Sequence, residues 1–275
     1  LNAAGVLRDE DLWTASRVRG ESMAVNGVDR GTMAAVSAPL DDIERILATL
    51  NNGVVLANRN HPRQGVISGA RDAIKGAIDA FAEAGFSARE IPVSAAFHSA
   101  LVADAKRPFH DTVSTFTFSE PHTSVYSNVT AKPYTADTAL HLLTEQITSS
   151  VNFVGIVDNM VKDGVEVFVE CGPKGVLSGL LKRCLKGTTS THIAALDGKA
   201  AKQDGDTQLK HLLAHLAALG VPVHFAPILE AFPVEAETRP NSKATIQLAG
   251  ANYKKPTTQA PAQPDLSKLP KPTVH

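Results

Sequence analysis

This sequence has few cysteines, no long hydrophobic run and no excess of charge of either sign. Two cysteines, Cys171 and Cys184, occur in 275 residues, which argues against a disulfide framework or a cysteine-rich metal site and favours a reducing compartment such as the cytoplasm. No stretch approaches the roughly 18 consecutive apolar residues of a membrane span. The 27 basic and 28 acidic residues create no field that would gather nucleic acid or an anionic membrane, so neither is an expected partner.

Several catalytic signatures are absent as well. No G-x-S-x-G nucleophile elbow occurs, since Ser22, Ser68, Ser94 and Ser99 all lack the pair of flanking glycines. The H-E-x-x-H, P-loop and G-x-G-x-x-G motifs are missing, which removes the main support for a metalloprotease, a nucleotide-binding or a dinucleotide-binding function. The chain therefore shows no evident nucleophile of its own.

One pair of histidines has the spacing of metal ligands. His211 and His215 lie four residues apart, but no acidic residue or cysteine accompanies them nearby. Leucines recur around them at helical spacing. We therefore expect no metal site and interpret both histidines as the polar flank of an amphipathic helix.

The first half of the chain carries a compact pattern of strands and helices. Strands are predicted at 33–37, 54–58, 65–68 and 88–93, with helices at 40–50 and 70–84. This β-α-β-β-α-β order is that of the ferredoxin-like unit.

Strands and helices alternate after this unit. Helices are predicted at 98–115, 137–163, 174–185 and 207–219, and strands at 124–128, 165–170 and 192–196. Such alternation is typical of a mostly parallel sheet with helical crossovers, but three strands are too few for a complete one. The expected sheet is therefore incomplete at its N-terminal side.

Two side chains are candidates for chemistry. Arg19 falls on the apolar stripe of the first predicted helix, with Ala15 and Met23. Its guanidinium either extends past Met23 to water or holds an anion in the groove that the helix faces. His98 lies where a strand ends and a helix begins, so a helix dipole would favour the neutral imidazole that a general base needs. A capping or core histidine is the alternative.

Six short runs follow one another along the chain. They are R-G-E-S-M (19–23), G-T-M-A-A-V (31–36), A-N-R-N-H-P-R-Q (57–64) with I-S-G (67–69), A-F-H-S (96–99), V-Y-S-N-V-T (125–130) and F-V-E-C-G-P (168–173). In this order they resemble the malonyl-CoA:acyl-carrier-protein transacylase family and the acyltransferase domains of polyketide and polyunsaturated fatty acid synthases. The resemblance covers residues 1–219.

The resemblance implies a two-step transfer of an acyl group. A serine attacks the thioester of malonyl-CoA, a histidine accepts the serine proton, and the phosphopantetheine thiol of an acyl carrier protein then attacks the acyl-enzyme. By matched position His98 would be the base, Arg19 would bind the free carboxylate of malonate, and the carbonyl near Ser149 would orient the base. Substrate-binding positions would also include Met23, Phe97 and Gln64. The CoA thioester and the carrier protein are substrates, and no bound cofactor is implied.

The sequence departs from the family's pattern in two ways. The serine elbow and the N-terminal oxyanion donors precede the position of Leu1 in relatives and do not occur here, so the chain is expected to be N-terminally truncated and inactive as given. The position three before the base, usually His or Tyr in the family, is Ala95, which loosens any inference about substrate choice.

The expected fold class is α/β, with a partial hydrolase-like parallel sheet and a complete ferredoxin-like small subdomain. The expected divisions are a large-subdomain helix (1–30), the small subdomain (31–93), the rest of the large subdomain (94–197), a helical segment (198–235) and a Pro-rich linker (236–275). The expected function is an acyltransferase domain fragment of a multidomain synthase that loads malonyl or related groups onto an acyl carrier protein. A non-catalytic carrier-protein docking module is the alternative, and an independent hydrolase is disfavoured by the missing elbow.

Overall fold

The computed structural model describes residues 1–23, 29–188, 191–197 and 204–231, so the predicted linker at 236–275 lies outside the described residues. The α-helices are α1 (Asp9–Met23), α2 (Leu40–Leu50), α3 (Arg71–Glu83), α4 (Lys106–Val113), α5 (Ala136–Glu145), α6 (Phe153–Lys162), α7 (Val176–Cys184), α8 (Gly205–Ala218) and α9 (Ala226–Ala231). The strands are β1 (Thr32–Ser37), β2 (Val55–His61), β3 (Gln64–Gly69), β4 (Ser87–Ile91), β5 (Val167–Pro173) and β6 (His192–Asp197). Leu1–Val223 forms one compact unit, and α9 lies outside it.

Four strands form an antiparallel sheet with two helices packed on one face. The strand order is β2-β3-β1-β4, and the chain order β-α-β-β-α-β is the one predicted from the sequence. Because side chains alternate along a strand, Ala34 and Val36 of β1 face the same core. Ile43 of α2 and Phe81 of α3 are fully buried in that core. The apolar faces of both helices are thereby covered.

The opposite face of this sheet is apolar too. Met33, Ala57 and Val66 are buried there, and Phe97 packs against them from outside the sheet. Because both faces are covered, β1 is a nearly continuous apolar run rather than a strict alternation. This second face forms one wall of the candidate site.

Helix α1 packs along the segment that follows Phe97. Ala15 and Met23 contact a buried cluster that includes Val102, Phe109 and Ile147. The apolar stripe predicted for this helix is therefore a packing face. Arg19 lies on the same face, between these two contacts.

Two strands form a parallel pair, β5 with β6, in which Val167 pairs with His192. Phe168 of β5 and Leu181 of α7 are buried together, and Leu212 of α8 is buried near β6. The α/β fold class is thus confirmed. The boundaries predicted between subdomains inside the first compact unit stay a prediction.

The predicted strand at 124–128 is wrong. Tyr126 forms an isolated bridge with Pro133, and the Ala131 amide donates to the Ser127 carbonyl at 2.8 Å. A local turn thus satisfies backbone groups that a strand would pair with a neighbouring strand.

Two predicted helices are interrupted. In the region 98–115, His98 has a positive φ and is followed by a 3-10 helix, Ala100–Ala105, and then by α4. The region 137–163 divides into α5 and α6, and Asn152 caps α6 with its side-chain oxygen. Both interruptions lie at the candidate site.

Candidate active site

One cavity brings together four of the site residues that were predicted from the sequence. It has a volume of about 390 Å³ and is bordered by α1, the second face of the four-stranded sheet and the turn at His98. Its lining residues are Arg19, Met23, Met33, Asn58, Asn60, Val66, Ile91, Phe97 and His98.

Backbone carbonyl groups hold the His98 ring. Its Nδ1 atom lies 3.1 Å from the carbonyl oxygen of Gln146, and the backbone of Ser149 also hydrogen-bonds to the ring. A carbonyl oxygen accepts hydrogen bonds and cannot donate them, so the ring proton lies on Nδ1 and Nε2 keeps its lone pair. This is the tautomer of a base that acts through Nε2.

Burial is the main cause that lowers the pKa of His98. The hydrogen bonds to Gln146 and Ser149 favour the charged ring and oppose this shift, whereas the Arg19 cation lowers the pKa further. The net effect is a lowered pKa, so the ring is neutral at neutral pH. The helix dipole expected from the sequence is not the main cause, because a short 3-10 helix follows His98.

His98 has a left-handed backbone conformation, with φ 58. For a residue other than glycine this conformation costs about 1–3 kcal/mol, and it persists where the surrounding structure fixes it. Ser99 contributes to that fixation, because its hydroxyl donates to the Ala96 carbonyl at 2.6 Å and accepts from the Leu101 amide at 3.2 Å. The chain therefore turns at His98 instead of continuing as a helix, and the ring lines the cavity.

Arg19 contributes a half-buried cation to the same cavity. Burial lowers the pKa of its guanidinium, which reflects the cost of keeping this charge away from water. Among the residues that the structure describes, no carboxylate pairs with it. A partly desolvated, unpaired guanidinium is suited to bind a carboxylate through two parallel hydrogen bonds.

Two asparagines of β2 form a polar wall that was not predicted from the sequence. Two irregularities in the pairing of β2 with β3 re-aim side chains along this strand, and Asn58 and Asn60 both line the cavity. A parallel bridge from Asn58 to Val151 ties β2 to the segment between α5 and α6. The N-x-N spacing was the available signal, because alternate residues of a strand share a face.

Gln64 lies behind this wall. Its Oε1 accepts a hydrogen bond from Asn60 Nδ2 at 3.4 Å, and Gln64 does not itself line the cavity. We interpret Gln64 as a support for Asn60. Its direct contact with substrate stays a prediction.

His211 and His215 lie at a second cavity, of about 440 Å³, between α7, β6 and α8. Lys174 and Lys182 line it as well. Across the described ranges no group of three or more His, Cys, Asp or Glu residues could hold a metal ion.

In the same ranges no helix is both long and apolar enough to cross a membrane.

Solved structures share this fold. The acyltransferase domain from the second module of the salinomycin polyketide synthase has a TM-score of 0.76 and 29% identity, over 84% of this chain and 53% of that chain. The malonyl CoA-acyl carrier protein transacylase from Clostridium perfringens has a TM-score of 0.72 and 28% identity, over 80% of this chain and 68% of that chain. The class defined by the fold is therefore an α/β protein of the acyltransferase type.

Sequence relatives give the family. A polyunsaturated fatty acid synthase subunit from Thraustochytrium sp. is 35% identical over 227 residues, which are 80% of this chain and 8% of the relative. The polyketide biosynthesis malonyl CoA-acyl carrier protein transacylase PksC of Bacillus subtilis is 37% identical over 174 residues, which are 62% of this chain and 60% of PksC. The chain thus spans part of each relative. The family profile described as acyl transferase domain matches residues 1–222, and the chain belongs to this family.

Proposed function

We propose that this chain is the part of an acyltransferase domain that supplies the general base and the carboxylate-binding residue for transfer of malonyl groups from CoA to an acyl carrier protein. The observation that carries the proposal is that one cavity holds a neutral His98 and an Arg19 that pairs with no carboxylate among the described residues. The similarity to malonyl CoA-acyl carrier protein transacylases supports the choice of substrate.

The chemistry requires a serine hydroxyl from a nucleophile elbow that these 275 residues do not contain. The serine Oγ attacks the thioester carbonyl carbon while Nε2 of His98 accepts the hydroxyl proton. The C–S bond then breaks, and the CoA thiolate leaves with the proton from His98. In the second half-reaction the phosphopantetheine thiol gives its proton to Nε2 and attacks the seryl ester. The serine oxygen leaves and recovers that proton, so His98 ends neutral.

The remaining walls of the cavity account for substrate selection. Arg19 would bind the free malonyl carboxylate through a charge-assisted bidentate pair. Met23 and Phe97 would cover the acyl carbon atoms. Asn58 and Asn60 offer neutral donors and acceptors, which suit the two amide groups of the pantetheine arm.

We propose two finer assignments for the fold. Strands β1 to β4 with α2 and α3 form the ferredoxin-like small subdomain, supported by their order and antiparallel pairing. Strands β5 and β6 belong to a hydrolase-like parallel sheet, supported by their parallel pairing. Neighbouring domains of a multidomain synthase would then be partners, together with the carrier protein.

The test uses the chain joined at its N-terminus to an acyltransferase segment that carries a G-x-S-x-G serine elbow, hereafter the joined protein. With radiolabelled malonyl-CoA we expect label on the joined protein and, after addition of carrier protein, on the carrier protein. The 275-residue chain alone should take up no label, and neither should the joined protein with its elbow serine replaced by alanine. A folded joined protein that binds carrier protein but takes up no label would reject the proposal and favour the docking module.

A further inference from the structure

Arg30 connects the two ends of the turn that carries His98. It lies two residues before β1 and is 6% exposed. Its guanidinium forms a bidentate pair with Asp104, with 2.9 Å between Nη1 and Oδ1 and 2.6 Å between Nη2 and Oδ2. Its backbone carbonyl accepts a hydrogen bond from the Ala96 amide at 2.7 Å. One residue therefore holds the chain both before and after His98.

Gly31 permits the close packing that this arrangement needs. Its φ is 75, and a Cβ atom there would lie 2.2 Å from the Gly69 carbonyl oxygen and 2.9 Å from Cδ1 of Leu101. No side chain fits between the start of β1 and the 3-10 helix. The tight packing at Gly31 restricts the backbone next to Arg30, and the bidentate pair with Arg30 restricts the side chain of Asp104.

The His98 turn requires such a restraint. The sequence pattern from 98 to 115 predicts a helix, yet His98 has a positive φ and the chain bends there. Without its ties at Ala96 and Asp104, this segment could relax toward the predicted helix. The His98 ring would then leave the Gln146 carbonyl that fixes its tautomer.

We propose that Arg30 and Asp104 form a positioning pair that holds the His98 ring against the Gln146 carbonyl, with the ring proton on Nδ1. This inference rests on the proposed function, because the position of the ring affects catalysis only when His98 acts as the base. Neither residue of the pair lines the cavity, so both act through His98. Lysine cannot replace Arg30 in this role, because it lacks the planar fork that makes two parallel hydrogen bonds.

The test measures the His98 ring directly, by NMR of the 275-residue chain labelled with 15N-histidine, with His98→Gln used to assign its signals. Asp104→Asn is nearly isosteric at a carboxylate whose side chain is 64% exposed, and Arg30→Lys keeps the charge but loses the fork. In each variant we expect His98 to change from one tautomer to a mixture, and its titration midpoint to rise toward about 6.5. In the joined protein, kcat should fall about 10-fold or more while KM stays within about twofold.

Arg17→Met is the matched control, because it breaks the exposed pair of Arg17 with Glu21 on α1 and should leave His98 unchanged. An unchanged tautomer and titration of His98 in folded Asp104→Asn and Arg30→Lys would overturn the proposal and leave the pair a structural contact. The NMR signals require no chemistry. A joined protein that never becomes acylated would therefore reject the proposed function, while the response of His98 would still decide the role of the pair.

Discussion

Arg19 places a cation at the wall of the cavity that His98 also lines. A guanidinium that extended past Met23 to water would lie outside the cavity and be well hydrated. Arg19 is instead half-buried, faces the cavity that His98 lines, and has no carboxylate partner among the described residues. The carboxylate-binding interpretation therefore accounts better for its position.

Arg19→Ala should change which acyl group the joined protein transfers. A charge-assisted contact is worth about 1.5–3 kcal/mol and more when desolvated, so malonyl transfer should fall about 100-fold while acetyl transfer is unchanged or improved. The measurement is kcat/KM with each CoA ester. Arg17→Ala, two residues away on the exposed side of the same helix, is the control. An equal loss for both acyl groups would contradict the carboxylate-binding role.

Phe97 should exclude an α-methyl group from the cavity. Its ring packs against Met33 and lines the cavity next to His98, and one extra methyl group in a filled pocket costs about 1–3 kcal/mol. Competition between malonyl-CoA and methylmalonyl-CoA should therefore favour malonyl. Ala95 is buried in the core and does not line the cavity, so it gives no compensating space. A clear preference for methylmalonyl would show that Phe97 does not set this limit.

At the scale of elements, local periodicity accounts for what the sequence could predict. The four strands and two helices of the antiparallel sheet, and the order β5, α7, β6, follow from patterns within each segment. The interruption between α5 and α6 and the turn at His98 do not follow from such local patterns, because both are stabilised by groups that are distant in the sequence. Gln146 bonds to His98 across 48 residues, and Arg30 bonds to Asp104 across 74. The elements that carry the base were therefore the least predictable.

The first amides of helix α7 contact a buried carboxylate, that of Glu170. Glu170, in the middle of β5, accepts hydrogen bonds from the amides of Leu177 and Ser178, at 3.0 and 2.7 Å. Burial raises the pKa of Glu170, but these hydrogen bonds more than offset that effect, and the net pKa lies below its ordinary value. The carboxylate thus satisfies amides at the start of the helix and interacts favourably with its dipole.

Glu170→Gln should destabilise the fold. A neutral amide oxygen accepts hydrogen bonds more weakly than a carboxylate, so the free energy of unfolding should fall by about 1–3 kcal/mol in urea titrations at pH 7. Glu166→Gln removes an exposed carboxylate close to β5 and should change it by less than about 0.5 kcal/mol. Equal effects of the two substitutions would mean that the contact with α7 contributes little.

At the scale of the whole molecule, the buried His61 and the half-buried His98 link stability to pH. Burial lowers the pKa of His61, with further lowering by Arg183 and Arg63, and burial lowers that of His98. The unfolded chain therefore binds protons at these sites at a pH where the folded chain does not. Stability contributed in this way is present above about pH 6.5 and is lost as the pH falls.

The free energy of unfolding should accordingly be lower at pH 5.5 than at pH 7.5. His61→Asn and His98→Gln should each reduce that difference, because each removes one of the protons taken up on unfolding. Urea unfolding at the two pH values measures this effect. A pH dependence that persists unchanged in both variants would assign it to other groups.

Single-turnover acylation of the joined protein with radiolabelled malonyl-CoA tests whether His98 is the base of an acyl transfer. Replacing His98 by glutamine keeps a polar side chain but removes the base. General-base catalysis contributes about 100-fold or more, so His98→Gln should slow acylation by at least about that factor while the folded state is retained. Acylation of a folded His98→Gln variant at the unsubstituted rate would contradict the claim.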